Sequence, residues 1–272
     1  MPGAYERIRG ASARLLRTRD FDAGGVSVRD INLAGRPARL YRPPAERSGQ
    51  PMLFFHGGAF FSGSLETHER LCTRLAAHLG DPLIAAPYGL APRTSASQML
   101  ANAVASADAL REDAGALGLE AGNISLGGDS AGGYLALRTA LSLGERAAGL
   151  AMLYPLIQLD PSAWWREAFR GSRSAGLPSI AIMAGMGLSR EFAPLYDLDL
   201  AGLPPTVILC GGGLDPVAYD APRLEEALAE AKVPVKRIAE RGLIHGELCF
   251  PDRSARADRA LRSAAEALRA LA

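Results

Sequence analysis

The 272-residue sequence has little lysine, little cysteine and no long hydrophobic run. Only Lys232 and Lys236 are lysines among its 30 basic residues, and 29 acidic residues nearly balance them, giving a formal net charge of +1. Strong nucleic-acid binding needs a clustered basic surface, whereas here only the start of the chain is net basic. We therefore expect no nucleic-acid partner and attribute the arginine excess to genome composition.

Three cysteines and the distribution of apolar residues exclude further protein classes. Cys72, Cys210 and Cys249 are odd in number, far apart and outside any C-x-x-C pair, which favours reduced thiols and a cytoplasmic location. The first 20 residues lack the apolar core of a signal peptide. No apolar run approaches a membrane span, so no stable membrane insertion is expected. The four histidines lack metal-ligand spacing, and we predict neither a metal nor a cofactor.

From residue 51 onwards, short apolar runs alternate with helical patterns. Such alternation predicts an α/β fold with a mainly parallel sheet. Ahead of it, residues 25–33 and 36–42 alternate on either side of Ala34-Gly35, which predicts an antiparallel hairpin. The helical patterns cover residues 68–79, 97–113, 131–143, 216–231 and 254–271.

The strongest chemical signal is a glycine-rich segment that contains Ser130. The chain has one G-x-S-x-G match, at residues 128–132, and it lies between a predicted strand and a predicted helix. This is the context of a nucleophile elbow, in which a sharp turn exposes the serine and glycines relieve crowding around it. Ser130 is therefore the predicted nucleophile.

A serine hydroxyl needs a base to become a good nucleophile. His245 is the only histidine after Ser130, and it follows the last predicted strand, so it is the candidate base. The orienting acid should follow the preceding strand, where Asp215 lies. Asp215 is also a candidate N-cap for the predicted 216–231 helix. Asp220 is the rival acid, but we predict that it falls inside that helix.

An acyl-transfer site also needs N–H donors for the developing oxyanion. The run His56-Gly57-Gly58-Ala59 follows a predicted strand and fits the HGGG type of oxyanion loop. We predict that the backbone N–H groups of Gly57, Gly58 and Ala131 form the hole. His56 precedes the elbow and is expected to brace this loop. The alternative for the whole run is a plain glycine-rich turn without a role in catalysis.

Taken together, these motifs resemble the hormone-sensitive-lipase-like family of α/β-hydrolases, in its bacterial esterase branch. The resemblance extends from about residue 25 to the C-terminus. It departs from the family pattern at Tyr88-Gly89-Leu90-Ala91-Pro92-Arg93, where the family usually has Tyr-Arg-Leu-Ala-Pro-Glu, and at Asn102, where Asp is common. The matching pieces are His56-Gly57-Gly58-Ala59-Phe60, Gly63-Ser64, Gly128-Asp129-Ser130-Ala131-Gly132-Gly133, Asp215-Pro216 and His245-Gly246.

The resemblance implies an α/β-hydrolase fold with a mostly parallel eight-stranded sheet, helices on both faces and a small helical cap. The family builds its cap from the N-terminus and from an insertion after the sixth strand. Residues 1–22, helical in pattern over 4–17, and residues 158–200, which break the α/β rhythm, match these two places. Residues 23–157 and 201–272 then form the two parts of the catalytic core.

The implied activity is carboxylesterase hydrolysis of small to medium esters without a cofactor. Phe60, Phe61, Trp164 and Trp165 are candidates for lining the substrate pocket, with core or cap packing as the alternative. A lactonase or a small amidase such as a formamidase would use the same triad. A ligand-binding receptor should instead lack a triad member.

An edge strand around 234–239 is a candidate for pairing two subunits into a homodimer.

Overall fold

An eight-stranded sheet organises the described part of the molecule. The structure, a computed structural model, describes residues 23–120, 122–160, 192–212 and 215–271. The sheet order is β1-β2-β4-β3-β5-β6-β7-β8; β2 pairs antiparallel with β1 and β4, and the other pairs are parallel. The strands are Ser27–Leu33 (β1), Arg36–Arg42 (β2), Met52–Phe55 (β3), Leu83–Ala85 (β4), Ile124–Asp129 (β5), Ala147–Leu153 (β6), Thr206–Gly211 (β7) and Val235–Glu240 (β8).

The central strands are buried on both sides. In β3, Leu53 and Phe55 pack into one hydrophobic cluster, and Met52 and Phe54 pack into another. Adjacent residues of a strand point to opposite faces, so a strand covered on both faces reads as a continuous apolar run. This explains the pattern that predicted the parallel sheet, and both that prediction and the antiparallel hairpin are confirmed.

Helices cover both faces of the sheet. The described ranges contain five α-helices, Glu69–Leu79 (α1), Ala96–Asp113 (α2), Ala131–Leu143 (α3), Ala221–Glu230 (α4) and Ala255–Leu271 (α5). Helices α2, α3 and α4 pack into the cluster around Leu53, and α1 and α5 pack into the cluster around Phe54.

The start of α4 differs from the prediction. We expected a helix from residue 216, but α4 begins at Ala221, after a 3₁₀ turn over Ala218–Asp220. Pro222 therefore lies in the first turn, where a missing N–H costs nothing, whereas a start at 216 would put it in the helix interior. Asp220 precedes the helix instead of falling inside it.

Much of the predicted cap lies outside the described residues. This holds for residues 1–22 and for residues 161–191, which include Trp164 and Trp165. After that segment the chain makes a 3₁₀ turn at Leu195–Asp197. Among the described helices, none combines the length and the apolar character needed to cross a membrane.

Candidate active site

Ser130 occupies a strained backbone position between β5 and α3. Its φ is 51° and its ψ is −119°, a region that side chains other than glycine rarely adopt and that is typical of functional sites. The Ser130 N–H donates to the carbonyl of Leu153 at 2.9 Å, and the Ser130 carbonyl accepts from the Leu156 N–H at 3.0 Å. Both bonds tie the turn to the end of β6.

Close backbone packing requires glycines beside Ser130. A Cβ on Gly132 would overlap the carbonyl of Phe55, and a Cβ on Gly128 would overlap the backbone of Gly132. Since these obstacles are backbone atoms, they have little room to move. The G-x-S-x-G spacing therefore lets β3, β5 and α3 meet at the serine.

The structure brings Ser130, His245 and Asp215 together. His245 Nε2 lies 2.9 Å from Ser130 Oγ, and His245 Nδ1 lies 3.1 Å from Asp215 Oδ1. Asp215 Oδ1 also accepts from the Val217 N–H at 3.1 Å. A carboxylate only accepts, so Nδ1 carries the proton and the lone pair of Nε2 faces the serine hydroxyl. The arrangement suits proton transfer from serine to imidazole.

The environment of His245 favours its charged form. Burial alone would lower the pKa of His245, but the charge of Asp215 and its hydrogen bond outweigh that effect and raise the pKa above the ordinary value. The Asp215 side chain is fully buried, whereas that of His245 is 26% exposed. The imidazolium that forms during a proton transfer would therefore be stabilised.

Tyr154 packs against His245, and the sequence did not single it out. The two ring centroids are 4.7 Å apart. Tyr154 follows β6 with a φ of 35°, and its N–H donates to the carbonyl of Leu209. The ring therefore covers one side of the imidazole.

In the oxyanion loop, residues 56–63, one N–H group differs from its predicted role as an oxyanion donor. The Gly57 N–H donates to Asp129 Oδ1 at 2.7 Å, so it is already used and our prediction for Gly57 was wrong. The N–H groups of Gly58 and Ala59 have no hydrogen-bond acceptor among the described residues. Ala131 is the first residue of α3, where an N–H has no partner within the helix. Gly58, Ala59 and Ala131 therefore provide the available donors.

His56 braces this loop. Its Nδ1 donates to the Gly57 carbonyl at 2.7 Å, and its ring packs on Tyr88 with centroids 4.8 Å apart. Burial, helped by the charge of His68, lowers the pKa of His56 to about 4. His56 is thus neutral at neutral pH and contacts the loop instead of the serine.

Hydrogen bonds connect Tyr88 and Asn102, in the region where the sequence departs from the family pattern that it resembles. The Tyr88 hydroxyl donates to the His56 carbonyl at 3.1 Å, and Asn102 Nδ2 donates to the Tyr88 carbonyl at 3.0 Å. Asn102 Oδ1 accepts from Arg36 at 2.6 Å and from Gln98 at 2.9 Å. These neutral and cationic groups hold the segment without the usual Arg and Glu.

Phe60 and Phe61, predicted to line the substrate pocket, are both buried. Phe60 is fully buried, stacks on Phe192 at a centroid distance of 4.5 Å and meets the Tyr134 ring edge-on at 6.0 Å. Phe61 is 2% exposed. These contacts fit core packing, the alternative that the sequence left open, and a role in the substrate pocket stays a prediction.

Three potential metal ligands come together although sequence spacing did not indicate it. The ligand atoms of His68, Asp129 and Cys249 all lie within 4.8 Å of one another, and the three residues are buried. Two of them, His68 and Asp129, form an ion pair.

Comparison with known proteins identifies the family. A family described as "alpha/beta hydrolase fold" matches residues 52–249. The chain belongs to this family. The resemblance to hormone-sensitive-lipase-like esterases is thereby confirmed, and so is the predicted fold.

The relatives are esterases. Esterase LipI of Mycobacterium tuberculosis is 30% identical over 224 residues, which cover 76% of this chain and 69% of LipI. An esterase of Acinetobacter venetianus is 32% identical over 227 residues, covering 77% and 71% of the two chains. The solved structure of EstE1, a thermophilic carboxylesterase cloned from a metagenomic library, has a TM-score of 0.83 at 25% identity and covers 98% of each chain.

Proposed function

We propose that Ser130, His245 and Asp215 are the nucleophile, base and orienting acid of a serine carboxylesterase for small to medium esters. The family and its esterase relatives make this chain a carboxylic ester hydrolase. The observation that carries the residue roles is the unbroken hydrogen-bond chain from Asp215 through His245 to Ser130, with distances of 3.1 and 2.9 Å.

The mechanism follows from these contacts. Ser130 Oγ attacks the ester carbonyl while its proton passes to His245 Nε2, and the charge of Asp215 stabilises the imidazolium. The N–H groups of Gly58, Ala59 and Ala131 bind the oxyanion, and such a donor is typically worth about 3–4 kcal/mol of barrier. The imidazolium then protonates the leaving alcohol. A water molecule repeats the sequence on the acyl-enzyme and releases the acid.

A substrate panel tests this function. We expect turnover of p-nitrophenyl acetate and butyrate, a decline with longer acyl chains, and a loss on the order of 10⁴-fold in kcat for Ser130→Ala. Lactone and amide substrates in the same panel test the two alternative activities. A folded wild-type protein that hydrolyses none of the esters would contradict the proposal.

Assembly and location are proposed on narrower grounds. The edge strand β8 supports a homodimer, with Pro234 just before the strand shortening any ladder between subunits. Light scattering should then give twice the 28.6 kDa chain mass, and a mass of one chain would exclude the dimer. The buried free thiols Cys72, Cys210 and Cys249 support a cytoplasmic location.

A further inference from the structure

A buried ion pair lies directly behind Ser130. His68 Nε2 is 3.4 Å from Asp129 Oδ1, and the two side chains are 5% and 4% exposed. Asp129 is the last residue of β5 and immediately precedes Ser130, whereas His68 immediately precedes α1. The proposed mechanism uses neither side chain.

The hydrogen bonds around His68 fit an imidazolium with a proton on each ring nitrogen. The Thr67 hydroxyl donates its single proton to the Ser64 carbonyl at 3.0 Å and accepts from the Ser64 N–H at 2.9 Å. With the hydroxyl proton on the Ser64 carbonyl, His68 Nδ1, which lies 2.8 Å from the same hydroxyl oxygen, donates to it. Nε2 faces a carboxylate, which only accepts. This arrangement makes His68 an imidazolium that pairs with Asp129.

The pKa values agree with this protonation state. Burial opposes the charged form of His68, but the charge of Asp129 outweighs it and the pKa lies well above the ordinary value. Burial likewise opposes the charged form of Asp129, but the charge of His68 outweighs burial and lowers the pKa of Asp129 below its ordinary value. The neighbouring His56 stays neutral, because burial and the charge of His68 both lower its pKa.

The ion pair is connected to the oxyanion loop through one atom. Asp129 Oδ1, which faces His68, is also the acceptor of the Gly57 N–H at 2.7 Å. A Cβ on Gly57 would overlap the Asp129 carboxylate, so the loop backbone lies directly against this group. Gly58 and Ala59, whose N–H groups are the proposed oxyanion donors, follow Gly57 in the chain. Movement of the carboxylate would therefore displace them.

We propose that His68 is a positioning residue for ester hydrolysis, which holds the oxyanion donors in place through Asp129 and Gly57. A buried carboxylate without a counter-charge is strongly destabilised, so without His68 the Asp129 side chain would take up a proton or reorient, and its Oδ1 would no longer be fixed at the Gly57 N–H. The inference rests on the proposed function, because the loop matters only if Gly58 and Ala59 bind an oxyanion. Oxyanion donors act mainly in the transition state, so the effect should fall on kcat.

The main test compares two histidine-to-glutamine variants at the ends of α1. His68→Gln keeps an N–H donor but removes the charge, and we expect kcat for p-nitrophenyl butyrate to fall about 10- to 100-fold with KM within about two-fold. His78→Gln is the matched control, because His78 Nε2 makes a similar pair with Asp258 at 2.9 Å, on the side of α1 that faces α5. Its kcat should stay within about two-fold of wild type.

A second set of variants tests the charge balance and replaces the first set if H68Q alone does not fold. The double variant H68Q/D129N removes both charges and keeps an acceptor for the Gly57 N–H, so we expect kcat within about ten-fold of wild type. H68Q/D129A is also neutral but lacks that acceptor, and we expect it to lose about 100-fold or more.

Three results would overturn the inference. One is an H68Q variant with kcat within two-fold of wild type, and another is equal kcat for H68Q/D129N and H68Q/D129A. The third is a stoichiometric metal in the purified protein that H68Q loses, since His68, Asp129 and Cys249 would then be metal ligands. In all three cases the wild type still hydrolyses esters, whereas an inactive wild type would contradict the proposed function itself.

Discussion

His245 Nε2 lies 2.9 Å from Ser130 Oγ although 115 residues separate the two in the chain. The sheet explains this contact. β5 and β8 lie in the same run of parallel strands, so the turn after β5 and the loop after β8 emerge at the same edge. The contact between Ser130 and His245 therefore depends on the order of the strands in the sheet.

The first prediction concerns the acid. In Asp215→Asn, the amide cannot stabilise an imidazolium and favours the wrong tautomer of His245, so kcat should fall on the order of 10³–10⁴-fold. Steady-state kinetics with p-nitrophenyl butyrate would measure the loss. Asp220→Asn is the control and should keep kcat close to wild type, because Asp220 precedes α4 and His245 contacts Asp215. The reverse pattern would transfer the acid role to Asp220.

A second prediction concerns pH. The base must be neutral to accept the serine proton, so kcat/KM should rise with pH through the pKa of His245. Because Asp215 raises that pKa, the midpoint should lie above about 6.5, the ordinary value for histidine. In Asp215→Asn the charge is lost and the residual activity should have its midpoint at lower pH. A wild-type midpoint clearly below 6.5 would argue against this environment for His245.

The elbow glycines give a third prediction. Gly132→Ala would place a methyl group against the Phe55 carbonyl, and overpacking of this kind typically costs about 1–3 kcal/mol. Urea unfolding should show that loss, together with lower activity. Gly115→Ala is the control, because a Cβ there meets no atom within 4 Å. If both variants unfold alike, the close approach of backbones at the elbow is not limiting.

A fourth prediction concerns Ala59, which has a φ of 54°. A left-handed conformation costs an alanine about 1–2 kcal/mol, whereas glycine adopts it freely. Ala59→Gly keeps the N–H donor, so kcat should stay within about two-fold and the free energy of unfolding should not decrease. Ala105→Gly, on the exposed face of α2, should instead lose about 1 kcal/mol. Equal losses in the two variants would exclude strain at Ala59.

Local patterns were sufficient to predict the strands and most helix limits. Buried parallel strands are continuous apolar runs, and predicted starts and ends of α1, α2, α3 and α5 fall within one residue of the structure. The predicted start of α4 was wrong. Asp215-Pro216 has the pattern of a helix start, but Pro222 also fits only the first turn of a helix, and the helix begins there.

The site was predictable where chemistry restricts the residue type. Ser130 was found from its glycines, and His245 was the only histidine after it. The use of the Gly57 N–H was not predictable, because it depends on the carboxylate of Asp129, which the fold brings to the loop. The pair between His68 and Asp129 likewise joins distant segments, and neither residue has a local pattern that reveals it.

The most direct test of the central claim is to map a covalent adduct. Wild-type protein should react with a fluorophosphonate, and peptide mass spectrometry should locate the adduct on Ser130, with loss of esterase activity in proportion to labelling. Ser130→Ala should remain folded and unlabelled. An adduct on another residue, or an active wild-type enzyme that resists the reagent, would contradict the assignment of Ser130 as the nucleophile.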